Sequence, residues 1–314
     1  MSRDVAGPRE ARAKLRPALQ RHASASDVMM VGLLSHYSIR GVGVEKPEIR
    51  PLKLLPEFRE CERIQAEVWG APAATSEMLS VIAKYGGVVL GAFGGKKMWG
   101  FLLALLARRK GRLIHWSHMM AVREGFRDRG LGFKMKLVHR KLALAEGVRS
   151  ICWTYDPLQS RNAALNVARL GATIDEYIPD CYGRFPSVIE RGLASDRFVA
   201  NWKIASPHVE RRLREGATPV DLSRISQVNE TRADSDGLIE NRRIHLKLDA
   251  RRLLVEIPSH TDAMRAERLD LATRWRMETR RIFQTYFAAG YRAADFIPPT
   301  SQPDGKCFYL LERR

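Results

Sequence analysis

The run Val122-Arg-Glu-Gly-Phe-Arg127-Asp-Arg-Gly130-Leu-Gly132 constrains the fold more than any other part of the chain. A strand-like run, Leu113 to Val122, ends just before it, and a helix-like run, Phe133 to Glu146, begins just after it. The chain must therefore leave a strand, turn tightly on glycines and enter a helix. Such a turn leaves several backbone N–H groups unpaired and aimed at one spot. Together with the positive end of the helix dipole they form an anion site, most often for phosphate. Gly130 and Gly132 let the backbone approach a ligand with no Cβ in the way. Arg127 and Arg129 add donors, each charge-assisted bond contributing roughly 1.5–3 kcal/mol.

Two common phosphate loops do not fit. A nucleotide-binding P-loop needs a Gly-Lys-Ser/Thr ending, which is absent. A dinucleotide fingerprint needs three glycines and opens a βαβ unit, whereas this turn follows a strand of a meander. The pattern strand, Val, four residues, Arg-x-x-Gly-x-Gly, helix resembles the coenzyme A pyrophosphate loop of the GNAT acyltransferase superfamily. The resemblance implies that Arg127, Asp128, Arg129, Gly130, Leu131 and Gly132 wrap the pyrophosphate of acyl-CoA. It also implies that backbone around Met120, Ala121 and Val122 polarises the thioester carbonyl.

The order of elements agrees with that resemblance. Ile49 to Leu54 reads as a strand, with helices over Pro56 to Trp69 and Ser76 to Tyr85. Val88 to Phe93, Met98 to Ala107 and Leu113 to Val122 read as three strands, the first two joined by the hairpin signal Gly94-Gly95-Lys96-Lys97. Then come the helix after the glycine turn, a strand over Ser150 to Tyr155, a helix over Arg161 to Leu170 and a strand over Ala172 to Ile178. This is the GNAT order, an α/β fold with a mixed sheet and splayed central strands. It implies an acyltransferase core over residues 46–205. Beyond it, Val209 to Arg243 reads as a polar, irregular connection. Leu253 to Ile257, one long helix over Asp262 to Ala289, Tyr291 to Ile297 and Cys307 to Leu311 form a C-terminal β-α-β-β extension, so that residues 206–314 pack on or extend the core.

A second segment, Trp153-Thr-Tyr-Asp-Pro-Leu-Gln-Ser-Arg-Asn162, carries further resemblance. In the superfamily this strand diverges from its neighbour and admits the pantetheine arm. Asn162 matches the Asn that contacts that arm, although an Asn there also suits a helix cap. Many members place a Tyr in the next helix as the acid for the departing thiolate. Leu165-Asn-Val-Ala-Arg-Leu170 has none. Tyr155, Tyr177 or Tyr182 would have to serve, or the thiolate leaves unassisted, its pKa being near about 8.5.

The attacking amine must lose a proton, a step typically worth about 10²–10⁴-fold. His118 and Asp156 are the candidate bases; a core role for His118 and a turn cap for Asp156 are the plainer alternatives. Ser117-His118-Met119, the Asp156 to Asn162 run, Ser195-Asp196-Arg197, Glu256-Ile257-Pro258 and Trp275-Arg276 are similar to GNAT proteins found beside N-succinyl-amino-acid racemases. That branch includes succinyl-CoA-dependent N-succinyltransferases of D-amino acids. It implies acetyl-CoA or succinyl-CoA as co-substrate and a small-molecule amine as acceptor. Arg161, Arg184 and Arg197 are candidates for a carboxylate of either substrate.

The formal net charge of +18 exceeds what one CoA site requires. The rival reading is a degenerate GNAT scaffold that binds nucleic acid or an anionic surface, but no RNA- or DNA-binding motif is visible. Residues 1–45 are rich in Arg, Ala and Ser and are expected to form a basic, flexible extension. No apolar run reaches the roughly 18–20 residues of a membrane span. The four separated cysteines form no CxxC pair and suit a reducing, cytoplasmic setting. His115-x-x-His118 is not expected to share a metal, because residues three apart in a strand face opposite sides, and no metal is expected. A dimer is compatible with these features.

Overall fold

A computed structural model describes residues 46–183, 193–234, 237–302 and 305–313. The basic extension and Arg184 therefore lie outside the described residues. The elements run β1 (Glu48–Pro51), α1 (Leu55–Trp69), α2 (Ser76–Lys84), β2 (Val88–Gly94), β3 (Lys97–Arg109), β4 (Arg112–Val122), α3 (Leu131–Ala145) and β5 (Ile151–Tyr155). Then α4 (Ser160–Ala163) continues as a π-helical turn over Ala164–Arg169, followed by β6 (Thr173–Ile178) and β7 (Arg197–Trp202). The remainder is α5 (Pro207–Glu215), β8 (Ser226–Gln227), β9 (Asn229–Ala233), β10 (Ile239–Ile244), β11 (Arg252–Ile257), α6 (Thr261–Glu267), α7 (Leu269–Ala288), β12 (Tyr291–Ile297) and β13 (Cys307–Arg313).

One eleven-stranded sheet carries the molecule, in the order β1-β2-β3-β4-β5-β7-β6-β12-β13-β11-β8. Only β4–β5 and β8–β11 are parallel; every other pairing in it is antiparallel. β2 and the stretch from Met98 to Ala104 in β3 are buried throughout, so they read as continuous apolar runs rather than alternating ones. Helices α1 and α2 cover one face through Phe58, Cys61, Ile64 and Leu79. Helix α3 covers the other through Leu131 and Met135. The C-terminal strands join the same sheet, Ala293 of β12 pairing with Ile174 of β6. Helix α7 then closes over the join. Phe283 meets Phe198 of β7 at 4.6 Å and Tyr309 of β13 at 5.4 Å, both edge to face, so one aromatic core spans the junction.

Several local readings are corrected. The stretch from Val209 to Arg243 is irregular only between its elements, chiefly over 216–225. Ser206 caps α5 and Pro207 opens it, and Val209 and Arg212 supply its buried side. β9 and β10 then pair as a hairpin. The hairpin is polar in β9 and is held by hydrogen bonds as well as by Ile239 and Ile244 of β10 against the core: Asn229 donates from Nδ2 to the Glu256 carbonyl and accepts at Oδ1 from the Glu256 N–H. The long helix breaks at Arg268, whose φ of −137° is not helical. Strand β7, unassigned in the sequence reading, fills the place between β5 and β6. No helix among the described residues is long and apolar enough to cross a membrane, and the cysteines form no disulfide.

Candidate active site

The cleft arises from how β4 and β5 choose their partners. They pair only at His115–Ile151 and Trp116–Cys152. Beyond that point β4 follows β3 as far as Val122–Gly100. β5 instead follows β7 as far as Tyr155–Phe198. Each strand keeps its outer partner and the two separate, so Ser117–Val122 and Trp153–Tyr155 border a V-shaped gap. Along β4 the register against β3 slips: Ser117 faces Ala104 and Met119 faces Leu103, leaving His118 as the extra residue of a β-bulge. The bulge turns this stretch of β4 at the mouth of the gap.

The glycine turn lies at the same end of β4. A short 3₁₀ turn, Glu124–Phe126, is anchored by Phe126 stacked on Trp99 at 4.7 Å. Arg127 bends back, its Nε donating to the Val122 carbonyl at 3.2 Å. Asp128 and Gly130 both adopt left-handed backbone, with φ of 61° and 71°. Gly130 is the N-cap of α3 and no side chain caps that helix. The N–H groups of Leu131, Gly132 and Phe133 precede the first intrahelical acceptor, since Lys134 is the residue that donates to the Gly130 carbonyl. Gly132 sits close to the strand: a Cβ there would lie 3.2 Å from Met120 Cε and 3.6 Å from Leu165 Cδ2. The turn therefore touches both lips of the gap, through Met120 on β4 and through Leu165 in the helical segment after β5.

The first turn of α4 completes this end. Asn162 is exposed there. Its neighbour Arg161 pairs with Asp128 across to the glycine turn. Both partners are exposed, so the pair contributes little to stability, but it shows that the two turns lie side by side. Arg127, Asp128, Arg129, Gly130, Leu131, Gly132 and Asn162 are thus brought together with Met120, Ala121 and Val122. This set suits a pyrophosphate and an extended arm: unpaired N–H groups, surface arginines, a cradle a Cβ would fill, and a gap with free strand edges.

Asp156 and Tyr155 turn out to be placed for other work. Asp156 takes both ends of the Arg276 guanidinium from α7, at 2.7 and 2.6 Å, and accepts from the Leu158 N–H at 2.9 Å. Burial works to raise its pKa, but the Arg276 charge and these hydrogen bonds outweigh it and hold the carboxyl below its usual range. A carboxylate saturated by three donors is a poor base. The Tyr155 hydroxyl is buried, 3.3 Å from that of Tyr309, and burial raises its pKa. Tyr309 in turn donates to the Pro157 carbonyl, and Thr261 to the Leu158 carbonyl. The turn that forms the β5 lip is therefore clamped from the C-terminal extension. Tyr177 is likewise committed, donating to Asp196 at 2.6 Å, and the Tyr182 hydroxyl meets Thr154 at 2.8 Å.

His118 remains as the titratable side chain at the bulge. It reaches solvent, yet partial burial lowers its pKa below the ordinary value, so the ring is neutral and able to accept a proton at pH 7. Two groups were missed in the sequence. Lys136 of α3 is buried and donates to Ser117 Oγ at 2.9 Å, where β4 and β5 begin to part. His139 is buried one turn further on, 3.0 Å from His115. The positions Leu131, Met135, His139 and Ala143 recur every four residues and would have marked this as the inward face. Among the described residues no cluster suited to a metal is present.

Comparison with family models and with curated proteins finds no match. Solved structures of similar fold exist. A GNAT-family acetyltransferase from Streptococcus pneumoniae is 18% identical, covering 50% of this chain and 98% of its own, with a TM-score of 0.41. The ribosomal-protein-S18-alanine N-acetyltransferase from Escherichia coli is 13% identical, covering 51% and 96%, with a TM-score of 0.42.

Proposed function

We propose that the chain is an acyl-CoA-dependent N-acyltransferase. It moves an acyl group from CoA to the amine of a small molecule by direct attack on the thioester. The observation that carries this reading is the joining of two features: the uncapped glycine turn at Arg127–Gly132 opens beside the gap where β4 and β5 part. The turn binds the pyrophosphate, with Asp128 beside Arg161 of α4. Asn162 and the free edges of β4 and β5 hold the arm. Backbone at Met120, Ala121 and Val122 polarises the thioester carbonyl, and His118 at the bulge takes the proton of the incoming amine. Asp156 and Tyr155 shape the β5 lip and take no part in proton transfer. The donor is acetyl-CoA or succinyl-CoA, and an amino acid is the proposed acceptor.

A thermal-shift screen of the full chain with acetyl-, succinyl- and longer acyl-CoAs, followed by thiol release with D- and L-amino acids, tests the proposal. Ligand-dependent stabilisation with thiol release supports it. A chain that is stabilised by no CoA species but is shifted by nucleic acid in a salt-sensitive way is instead a binding protein on the same scaffold.

A further inference from the structure

Two groups of polar side chains lie under the apex of the gap, one around Lys136 and one around His139. Lys136 Nζ lies 3.6 Å from the centroid of the Trp153 ring and donates to Ser117 Oγ. Ser117 and Trp153 are the first residues of β4 and β5 beyond their last paired positions, Trp116 and Cys152. The ammonium therefore sits at the vertex of the V. It is 2% exposed. Among the described residues no carboxylate neutralises it. Burial alone pulls its pKa down to about 7, far from the ordinary value near about 10.4. A buried lysine with no counter-ion costs stability, which makes it a candidate for function.

The groups packed around it are few. Helix α3 contributes His139, one turn along the same face; β4 contributes Ser117 and His115; β5 contributes Trp153 and no charged side chain. His139 Nε2 lies 3.0 Å from His115 Nδ1, and His115 Nε2 lies 3.1 Å from Glu146 Oε2, which reaches solvent. A carboxylate only accepts, so with one proton on each ring His115 donates to Glu146 and His139 donates to His115. His139 Nδ1 is then bare, and it is buried with no partner. Burial first, then the charges of Lys136 and His115, keep the His139 pKa well below its usual value. The histidine pair thus reaches the surface at Glu146, and no hydrogen bond joins it to Lys136 among the described residues.

We infer that Ser117 and Lys136 together supply the proton to the departing CoA thiolate, the role left open by the lack of a Tyr in α4 and its π-helical continuation. The inference rests on the acyl-CoA reading. When the carbon–sulfur bond breaks, its electron pair goes to sulfur. The Ser117 hydroxyl, which accepts from Lys136, gives its own proton to that sulfur and takes one from the Lys136 ammonium. Lys136 regains a proton from water once CoA leaves the gap, in balance with the one the amine loses at His118. Ser117 is the group that meets the sulfur, and Lys136 is a positioning residue acting through it.

The test uses the full chain and free CoA, so it needs no acceptor. The thiolate absorbance of bound CoA is titrated in the ultraviolet, with desulfo-CoA as the blank, for wild type, Lys136→Met and Ser117→Ala. A cation acting through a hydroxyl stabilises the thiolate. The wild-type complex should therefore titrate at least one pH unit below free CoA, and both variants should lose most of that shift. Lys136→Met should melt no lower than wild type, because a flexible apolar chain of similar length replaces a desolvated charge. Ser117→Ala leaves Lys136 in place and keeps the test decisive if Lys136→Met folds poorly. Tight CoA binding with the same thiol titration in all three proteins would overturn the inference and leave the acyltransferase reading standing. Absence of CoA binding to wild type would remove both.

Discussion

Arg276→Met tests the clamp on the β5 lip. Arg276 and Asp156 are 2% and 11% exposed at their side chains, and each end of the guanidinium meets a carboxylate oxygen. Removing the cation leaves a buried carboxylate with the Leu158 N–H as its remaining donor. Breaking such a pair costs about 3–5 kcal/mol. At about 2–4 °C per kcal/mol for a chain of this size, the melting temperature at pH 7 should fall by about 6–20 °C. Asp156→Asn added to Arg276→Met removes the orphaned charge while keeping an acceptor for Leu158, so the double variant should recover much of the loss. The pH dependence has a definite sign. In wild type the Asp156 pKa is depressed, so its stabilisation is present above the unfolded value near about 3.9 and is lost as pH falls through the lower folded value. In Arg276→Met burial is no longer opposed by the cation and the pKa rises, so the variant protonates first. The gap between the two proteins should narrow from pH 7 to about pH 4. Thermal unfolding of wild type, Arg276→Met, Asp156→Asn and the double variant across that range is the assay. Additive single effects, or a gap that stays constant with pH, would refute the reasoning.

Three further outcomes are expected. Gly130→Asp puts a negative charge beside the proposed pyrophosphate and an L side chain at φ 71°; losing one charge-assisted contact of roughly 1.5–3 kcal/mol should weaken CoA binding about ten- to a hundredfold, read by calorimetry on folded protein. His118→Gln should lower kcat/KM by about 10²–10⁴-fold and remove the acid limb of the rate profile, which in wild type should lie below the ordinary histidine value because the His118 pKa is depressed. If a buried Arg receives a succinyl carboxylate, succinyl-CoA should exceed acetyl-CoA in kcat/KM by about one to two decades; equal or better turnover with acetyl-CoA would sink the succinyl preference and leave the acyltransferase reading standing.

The glycine turn was legible because its chemistry is local: strand, φ-permissive residues and helix follow one another in the chain. The β2–β3–β4 meander was legible for the same reason, since hairpin signals sit between apolar runs. What escaped the sequence depends on distant partners. Asp156 looks like a base until Arg276, far along the chain, is seen to occupy it. Lys136 reads as a surface lysine because polarity is the usual sign of exposure, and only the packing of α3 beneath the parting strands buries it. The β9–β10 hairpin has no apolar alternation, and part of its anchor is Asn229 on the backbone of Glu256. β7 is a short run whose place in the sheet is set by β5 and β6 on either side.

Calorimetric titration of the full chain with CoA tests the central claim most directly. The turn at Arg127–Gly132 and the gap beside it predict saturable one-to-one binding, weakened by Gly130→Asp and unchanged in stoichiometry. A folded wild-type chain that takes up no CoA, or one whose binding is untouched by Gly130→Asp, would contradict the assignment of this cleft.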